Sequence, residues 1–162
     1  MGDIKIRGYV PGAIGRMAEL HALYYHANWH FGLFFEAKVA SELSAFLSRF
    51  EKRRDGFWTV CRDETVEGGL AIDGSEAASG GAHLRWFILS NKLRGRGFGH
   101  TLMTAAVNWC KACQYPRIYL WTFEGLLAAR HLYEKYGFVL AEEHIGEQWG
   151  TRVKEQKFVL RL

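Results

Sequence analysis

Leu89-Ser90-Asn91-Lys92-Leu93-Arg94-Gly95-Arg96-Gly97-Phe98-Gly99-His100 is the stretch whose reading decides the rest of the chain. The apolar run from Ala82 to Ser90 before it reads as a strand. Phe98, Leu102, Ala106, Trp109 and Cys113 behind it recur at helical spacing. Three glycines at alternate positions let the backbone turn tightly and come close to a ligand. The first turn of the helix offers unpaired N–H groups and a partial positive charge, and Arg94 and Arg96 add formal charge. Strand, glycine loop and helix together make an anion site suited to a pyrophosphate. The dinucleotide fingerprint Gly-x-Gly-x-x-Gly fails, because counting from Gly95 the third glycine falls on His100. No Lys-Ser/Thr pair follows, so the loop is not a P-loop either.

Outward from this loop, strand and helix signals alternate. On the N-terminal side, Ile4 to Val10 reads as a strand, and Pro11 suits the first turn of a helix carrying Ile14, Met17, Leu20 and Tyr24. A second helix is expected from about Phe35 to Arg53, with Val39, Leu43, Phe46, Leu47 and Phe50 on one face. Phe57–Cys61 and Gly69–Ile72 read as a hairpin turning at Asp63-Glu64, and the segment from Asp73 to Gly81 as the loop into the next strand. On the C-terminal side, Arg117–Trp121 is a strand. A helix bearing Leu126, Ala129, Leu132, Tyr133 and Tyr136 ends at Gly137, and strands near Phe138–His144 and Arg152–Leu160 close the chain. The order βααβββαβαββ implies an α/β (α+β) fold, with helices packed on the faces of a mixed sheet.

The 162 residues suit one domain, spanning 1–162, with no internal repeat or low-complexity tract. A formal net charge of +4 fits an anionic ligand without singling one out. No nucleic-acid motif is recognisable, and no nucleic-acid partner is expected. No apolar run reaches the roughly 20 residues of a membrane span, and no signal-peptide pattern opens the chain; a cytoplasmic protein with no membrane partner is expected. Cys61, Cys110 and Cys113 are read as ordinary thiols, since no second pair completes a zinc set around Cys110-x-x-Cys113. His26 and His30 have the spacing of a metal pair but no third ligand, so no metal is expected.

Arg94-x-x-Gly97-x-Gly99 resembles the Arg/Gln-x-x-Gly-x-Gly/Ala motif of the GCN5-related N-acetyltransferase (GNAT) superfamily. Ala129-Arg130-His131-Leu132-Tyr133-Glu134-Lys135-Tyr136-Gly137-Phe138 resembles its A-x-x-L-Y-x-x-x-G-F helix end. Leu84–Leu89, Leu120–Phe123 and Tyr136–Phe138 are most similar to the acetyltransferase half of bacterial MarR-fused proteins. The resemblance implies a single-domain GNAT-like fold, with a mixed, mostly antiparallel central sheet of about six to seven strands and helices on both faces. It implies an acyl-CoA-dependent N-acetyltransferase that moves the acetyl group of acetyl-CoA to a primary amine by direct attack. The acceptor, a small-molecule amine or a protein N-terminus or lysine, stays open, as does a longer acyl donor; a homodimer is in keeping with the family. A domain that binds acetyl-CoA or another acyl-CoA as a sensor, without turnover, is the alternative.

The resemblance assigns cofactor contacts to Phe87, Ile88, Leu89, Arg94, Gly95, Arg96, Gly97, Phe98, Gly99 and His100. The family often places Asn seven residues before the Tyr of its L-Y pair. Leu126 stands there, so on that side the contact falls to backbone or to Arg130. Tyr133 matches the family's general acid, and its ordinary pKa of about 10 keeps it protonated at neutral pH. His83 lies eleven residues before Arg94, where family histone acetyltransferases carry a glutamate base; Glu36 and water are the alternatives for that role. The family's acceptor region corresponds to the first two helices and the last hairpin, and Trp29, Phe31, Glu36 and Trp121 are the expected acceptor contacts.

Overall fold

The computed structural model describes residues 2–162. Its elements follow the expected order: β1 (Ile4–Arg7), α1 (Ala13–Trp29), α2 (Leu33–Ser48), β2 (Gly56–Arg62), β3 (Thr65–Asp73), β4 (Ala82–Leu89), α3 (Phe98–Ala112), β5 (Arg117–Phe123), α4 (Leu127–Lys135), β6 (Val139–Gly146) and β7 (Val153–Arg161). Several boundaries differ from expectation: β1 ends at Arg7 rather than Val10, and β3 begins at Thr65 rather than Gly69. Pro11 lies in the turn before α1 rather than inside it, and Gly12, at φ 91°, caps the helix. α2 stops at Ser48 because the buried Asp55 carboxylate accepts the Glu51 N–H at 3.0 Å and the Gly74 N–H at 2.9 Å, diverting backbone that a longer helix would use.

The strands form one sheet in the order β1-β2-β3-β4-β5-β7-β6. Every neighbouring pair is antiparallel except β4 and β5, which run parallel. One face is covered by α3 and α4. Leu102, Met103, Ala106, Val107 and Cys110 recur on one side of α3 and pack with Leu84, Ile118, Leu120, Tyr133 and Phe158. The other face is covered by α1 and α2, where Met17, Leu43 and Phe46 meet Phe57, Ala71 and Ile88.

The central strand changes its alternation part-way along. Arg85 pairs with Ala71 and Ile88 with Gly69, so two residues of β4, Trp86 and Phe87, stand opposite Leu70 alone. Trp86 adopts φ +53°, a conformation that a side chain of its size rarely takes. This is a β-bulge, and it moves every later side chain to the opposite face. Leu84 accordingly packs on the α3 side and Ile88 on the α1–α2 side, although both positions are even.

The pairing of β4 with β5 is short. Only Ala82 with Ile118 and His83 with Tyr119 are in register, after which the strands separate. The edge of β4 facing β5 therefore has no ladder partner beyond His83, and the sheet opens into a cleft between its two halves.

Candidate active site

The cleft between β4 and β5 has a volume of about 410 Å³ and is walled by both helical layers. β4 contributes His83 through Phe87, and β5 contributes Leu120 through Phe123. α1 and α2 bring His21, Tyr25, Phe35, Lys38, Val39 and Glu42. α4 adds Ala129 and Tyr133, and the β6–β7 turn closes one side with Gln148 and Trp149.

The glycine loop lies at the end of β4. Ser90 Oγ donates to buried Glu67 at 2.6 Å, and Ser90 N–H donates to Glu67 O at 2.7 Å. Arg16 Nη2 of α1 reaches the same carboxylate at 2.7 Å. Burial opposes ionisation of Glu67, but the Ser90 and Arg16 hydrogen bonds outweigh it and hold its pKa below the ordinary value. Leu93 is fully buried and anchors the middle of the loop. Gly95 (φ +73°) and Gly97 (φ +87°) sit in the left-handed region with open space where side chains would be. Gly97 caps α3 without a side-chain cap hydrogen bond, and no acidic residue stands in the first turn. The N–H groups ahead of Thr101, whose own N–H returns to Gly97 O, are thus available to an anion.

The loop cations and aromatics are differently placed. Arg94 donates from Nε to Leu89 O at 3.0 Å, and its guanidinium lies 3.9 Å from the centre of the Tyr24 ring, fastening the loop to α1. Arg96 and His100 are exposed, and Arg96 lies 5.8 Å from the Phe98 ring. Tyr136 Oη donates to the His100 carbonyl at 3.0 Å. Phe87 faces the cleft, whereas Ile88 is buried beneath α1 and α2. Arg130 sits off the cleft, ion-paired to Glu134 at 3.6 Å and 5.3 Å from the Phe158 ring. Leu126, which replaces the family's Asn, lines the cleft as an apolar wall.

Tyr133 is buried among Phe87, Phe138 and Phe158, with ring centres 5.9–6.2 Å apart. Burial, with a smaller contribution from Tyr25 nearby, raises its pKa well above the ordinary tyrosine value. Among the described residues its hydroxyl makes no hydrogen bond, and it borders the cleft. His83 lines the cleft too, stacked on Tyr119 at 4.4 Å. Burial, aided by the charge on Arg85, pulls its pKa down to about 3.

Of the expected acceptor residues, Trp121 lines the cleft. Trp29 and Phe31 instead build the aromatic cluster beside it with Tyr25, Phe35 and Phe123, and Phe31 is 1% exposed. Glu36 is solvent-exposed on the flank of α2 turned away from the cleft; Glu42, six residues later, is the carboxylate that enters it. Lys38 Nζ meets Glu42 Oε2 at 2.6 Å, and Arg85 Nη2 meets Oε1. Burial pushes the Glu42 pKa up, but these two cations more than offset it and keep the carboxylate ionised. The sequence signal for this group was Lys38-x-x-x-Glu42, one helical turn apart beside the apolar stripe.

Comparison with known proteins agrees with this architecture. The model of the acetyltransferase (GNAT) family matches residues 15–138. A search of curated protein sequences finds no match. Among solved structures, an acetyltransferase from Streptococcus agalactiae superposes with TM-score 0.73 at 20% identity, covering 98% of each chain. A GNAT-family acetyltransferase from Staphylococcus aureus gives 0.75 at 16% identity over 99% of each chain. YncA from Salmonella typhimurium, a putative acetyltransferase solved with its cofactor acetyl-CoA, gives 0.75 at 13% identity over 98% of this chain and 94% of its own.

Proposed function

The chain belongs to the acetyltransferase (GNAT) family, and we propose that it transfers the acetyl group of acetyl-CoA to a primary amine by direct attack within the β4–β5 cleft. The observation that carries this reading is Phe87, which walls the cleft beside Tyr133 and also lies against Gly99 in the first turn of α3, where the helix has neither a side-chain cap nor an acidic residue. The open glycine positions and free N–H groups fit a pyrophosphate, with Arg94 and Arg96 supplying charge at the loop. The unpaired edge of β4 leaves backbone groups for an extended, amide-bearing arm. Acetyl-CoA supplies the acyl group as a thioester. Leu84–Leu89, Leu120–Phe123 and Tyr136–Phe138 resemble the acetyltransferase half found fused to MarR-type regulators, and we place the chain near those relatives.

In the transfer, the amine nitrogen forms a bond to the acetyl carbon while the carbon–sulfur bond breaks. Tyr133 keeps its proton throughout the neutral range and gives it to the departing sulfur as negative charge develops there. The amine attacks as the free base, its ammonium proton having passed to solvent; the second nitrogen proton, lost as the amide forms, returns to the tyrosinate through solvent. His83, with a pKa near 3, stays neutral but is too weak a base to retain a proton taken from an amine at neutral pH. Its neutral ring accepts a hydrogen bond, so we assign it the orientation of the incoming amine.

Isothermal titration with acetyl-CoA, followed by thiol release in the presence of amines, tests the reading. The parent binds, and Arg94→Glu binds at least about tenfold more weakly. Arg94→Gln, which keeps a donor for Leu89 O, loses less. An absence of binding by the folded parent overturns the cofactor assignment; binding without thiol release from any amine makes the domain a sensor.

A further inference from the structure

The acceptor end of the cleft carries an unbalanced charge. Among its lining residues only Lys38, Glu42 and Arg85 are ionised, since burial lowers the pKa of His21 to about 4 and of His83 to about 3. Each oxygen of Glu42 already has a cation, Lys38 on one and Arg85 on the other. One carboxylate therefore serves two cations, and the group sums to +1. All three side chains are half-buried, so solvent screens the excess only in part. The Arg85 guanidinium is also held in place, 4.1 Å from the centre of the Trp86 ring at the bulge. A fixed, planar fork beside a second cation is the arrangement that takes a carboxylate. The remaining walls at this end are aromatic, with Phe35, Trp121, Phe123 and Trp149.

Resting on the acetyl-transfer reading above, we propose that the acceptor is a free α-amino acid with an apolar or aromatic side chain. Its carboxylate sits on Arg85 and Lys38, and its side chain lies against the tryptophans. Its α-amine stays close to the Glu42 carboxylate. With its amine deprotonated for attack, an α-amino acid carries the one negative charge that the site lacks; as a zwitterion it enters without adding net charge. A plain alkylamine arrives as a cation against a positive site, and a polyamine or a lysine side chain meets the same repulsion.

The test is kcat/KM by thiol release at saturating acetyl-CoA, with two matched pairs: L-phenylalanine against 2-phenylethylamine, and L-leucine against 3-methylbutylamine. Spermidine probes the polycation case. The parent favours each amino acid over its decarboxylated partner by at least about tenfold. In Lys38→Met and in Arg85→Gln this ratio shrinks at least about fivefold. Comparing the ratio between parent and variant cancels the intrinsic difference in amine nucleophilicity. Lys38 is on the partly exposed flank of α2, so its variant reports even where Arg85→Gln fails to fold. Equal or better rates with the decarboxylated amines or spermidine, or a ratio unchanged in Lys38→Met, overturn the proposal while transfer itself stands. No thiol release with any of these five amines overturns the amino-acid proposal alone, whereas no acetyl-CoA binding by the folded parent, or no thiol release across a wider amine screen, removes the transfer reading and this one with it.

Discussion

Tyr133→Phe separates a chemical role from a structural one. The substitution removes a single oxygen and keeps the ring, whose contacts to Phe87, Phe138 and Phe158 are made by its faces and edges. The hydroxyl has no protein partner among the described residues, so deleting it breaks no hydrogen bond in the fold. Its removal from an apolar setting leaves stability within about 1 kcal/mol of the parent, or raises it. A general acid contributes about 10²- to 10⁴-fold, so kcat falls by that factor, or ~3–5 kcal/mol in the barrier. Acetyl-CoA affinity is expected to stay within about twofold, because the proposed pyrophosphate site is the loop rather than this helix. Thiol-release kinetics, calorimetric titration and urea unfolding on the same preparation measure the three quantities. A kcat within about threefold of the parent removes Tyr133 from the mechanism. Equal losses in kcat and affinity assign the effect to the ring's position instead.

Glu67→Ala strips the carboxylate that holds both Ser90 and Arg16, and removing one partner of a buried ion pair costs about 3–5 kcal/mol; reduced by the partial exposure of Arg16, a loss of roughly 2–3 kcal/mol in urea unfolding is expected, with weaker acetyl-CoA binding because the loop starts at Ser90. Unchanged stability and binding would detach the loop from this network. Gly97→Val meets no neighbour but forces a branched side chain to φ +87°, at a cost of about 1–3 kcal/mol. The expected result is a folded protein with acetyl-CoA affinity lowered at least about fivefold; retained affinity argues against loop preorganisation. Acid stability follows from His21 and His83, whose folded pKa values of about 4 and about 3 lie below the ordinary 6.5. Between those limits the unfolded chain binds more protons, so stability is complete above about pH 6.5 and declines as pH falls toward 3–4. From pH 7.5 to 5.0 the two rings together cost roughly 3–4 kcal/mol. Urea unfolding at both pH values measures it, and His21→Phe halves the difference; equal stability at both refutes the burial argument.

The loop and the element order were legible because each rests on a local rule: alternate glycines after an apolar run, and a glycine just past α4, where Gly137 adopts φ +98°. The cleft was not, because it arises where two strands fail to pair. Nothing in Leu84-Arg85-Trp86-Phe87 marks the bulge, since a tryptophan occupies the left-handed position where a glycine would have signalled it. Periodicity also cannot tell a ring that lines a cavity from one that fills a neighbouring cluster. Trp121 and Phe31 are equivalent as sequence, yet the first faces the cleft and the second is sealed between Tyr25, Phe35 and Phe123. Glu36 and Glu42 differ by six residues of one helix, and only the packing of Phe35, Val39 and Leu43 decides which flank meets β4.

β4 is the part of the fold that makes one site out of separate elements. Its C-terminal end delivers the glycine loop, and its bulge turns Phe87 toward Tyr133 while Ile88 locks into the opposite layer. Its N-terminal half carries Arg85 to the cations and carboxylate of α2. At about 3.3 Å per residue, the path from Leu89 to Arg85 spans about 13 Å, less where the bulge shortens it. The proposed anion site, proton donor and charged acceptor end are thus ordered along a single strand. They stay accessible because the parallel partner is held at only two positions, Ala82 and His83. Longer pairing would bring β5 against this edge and fill the cleft, so the same interruption that weakens the sheet creates the space in which we propose that the two substrates meet.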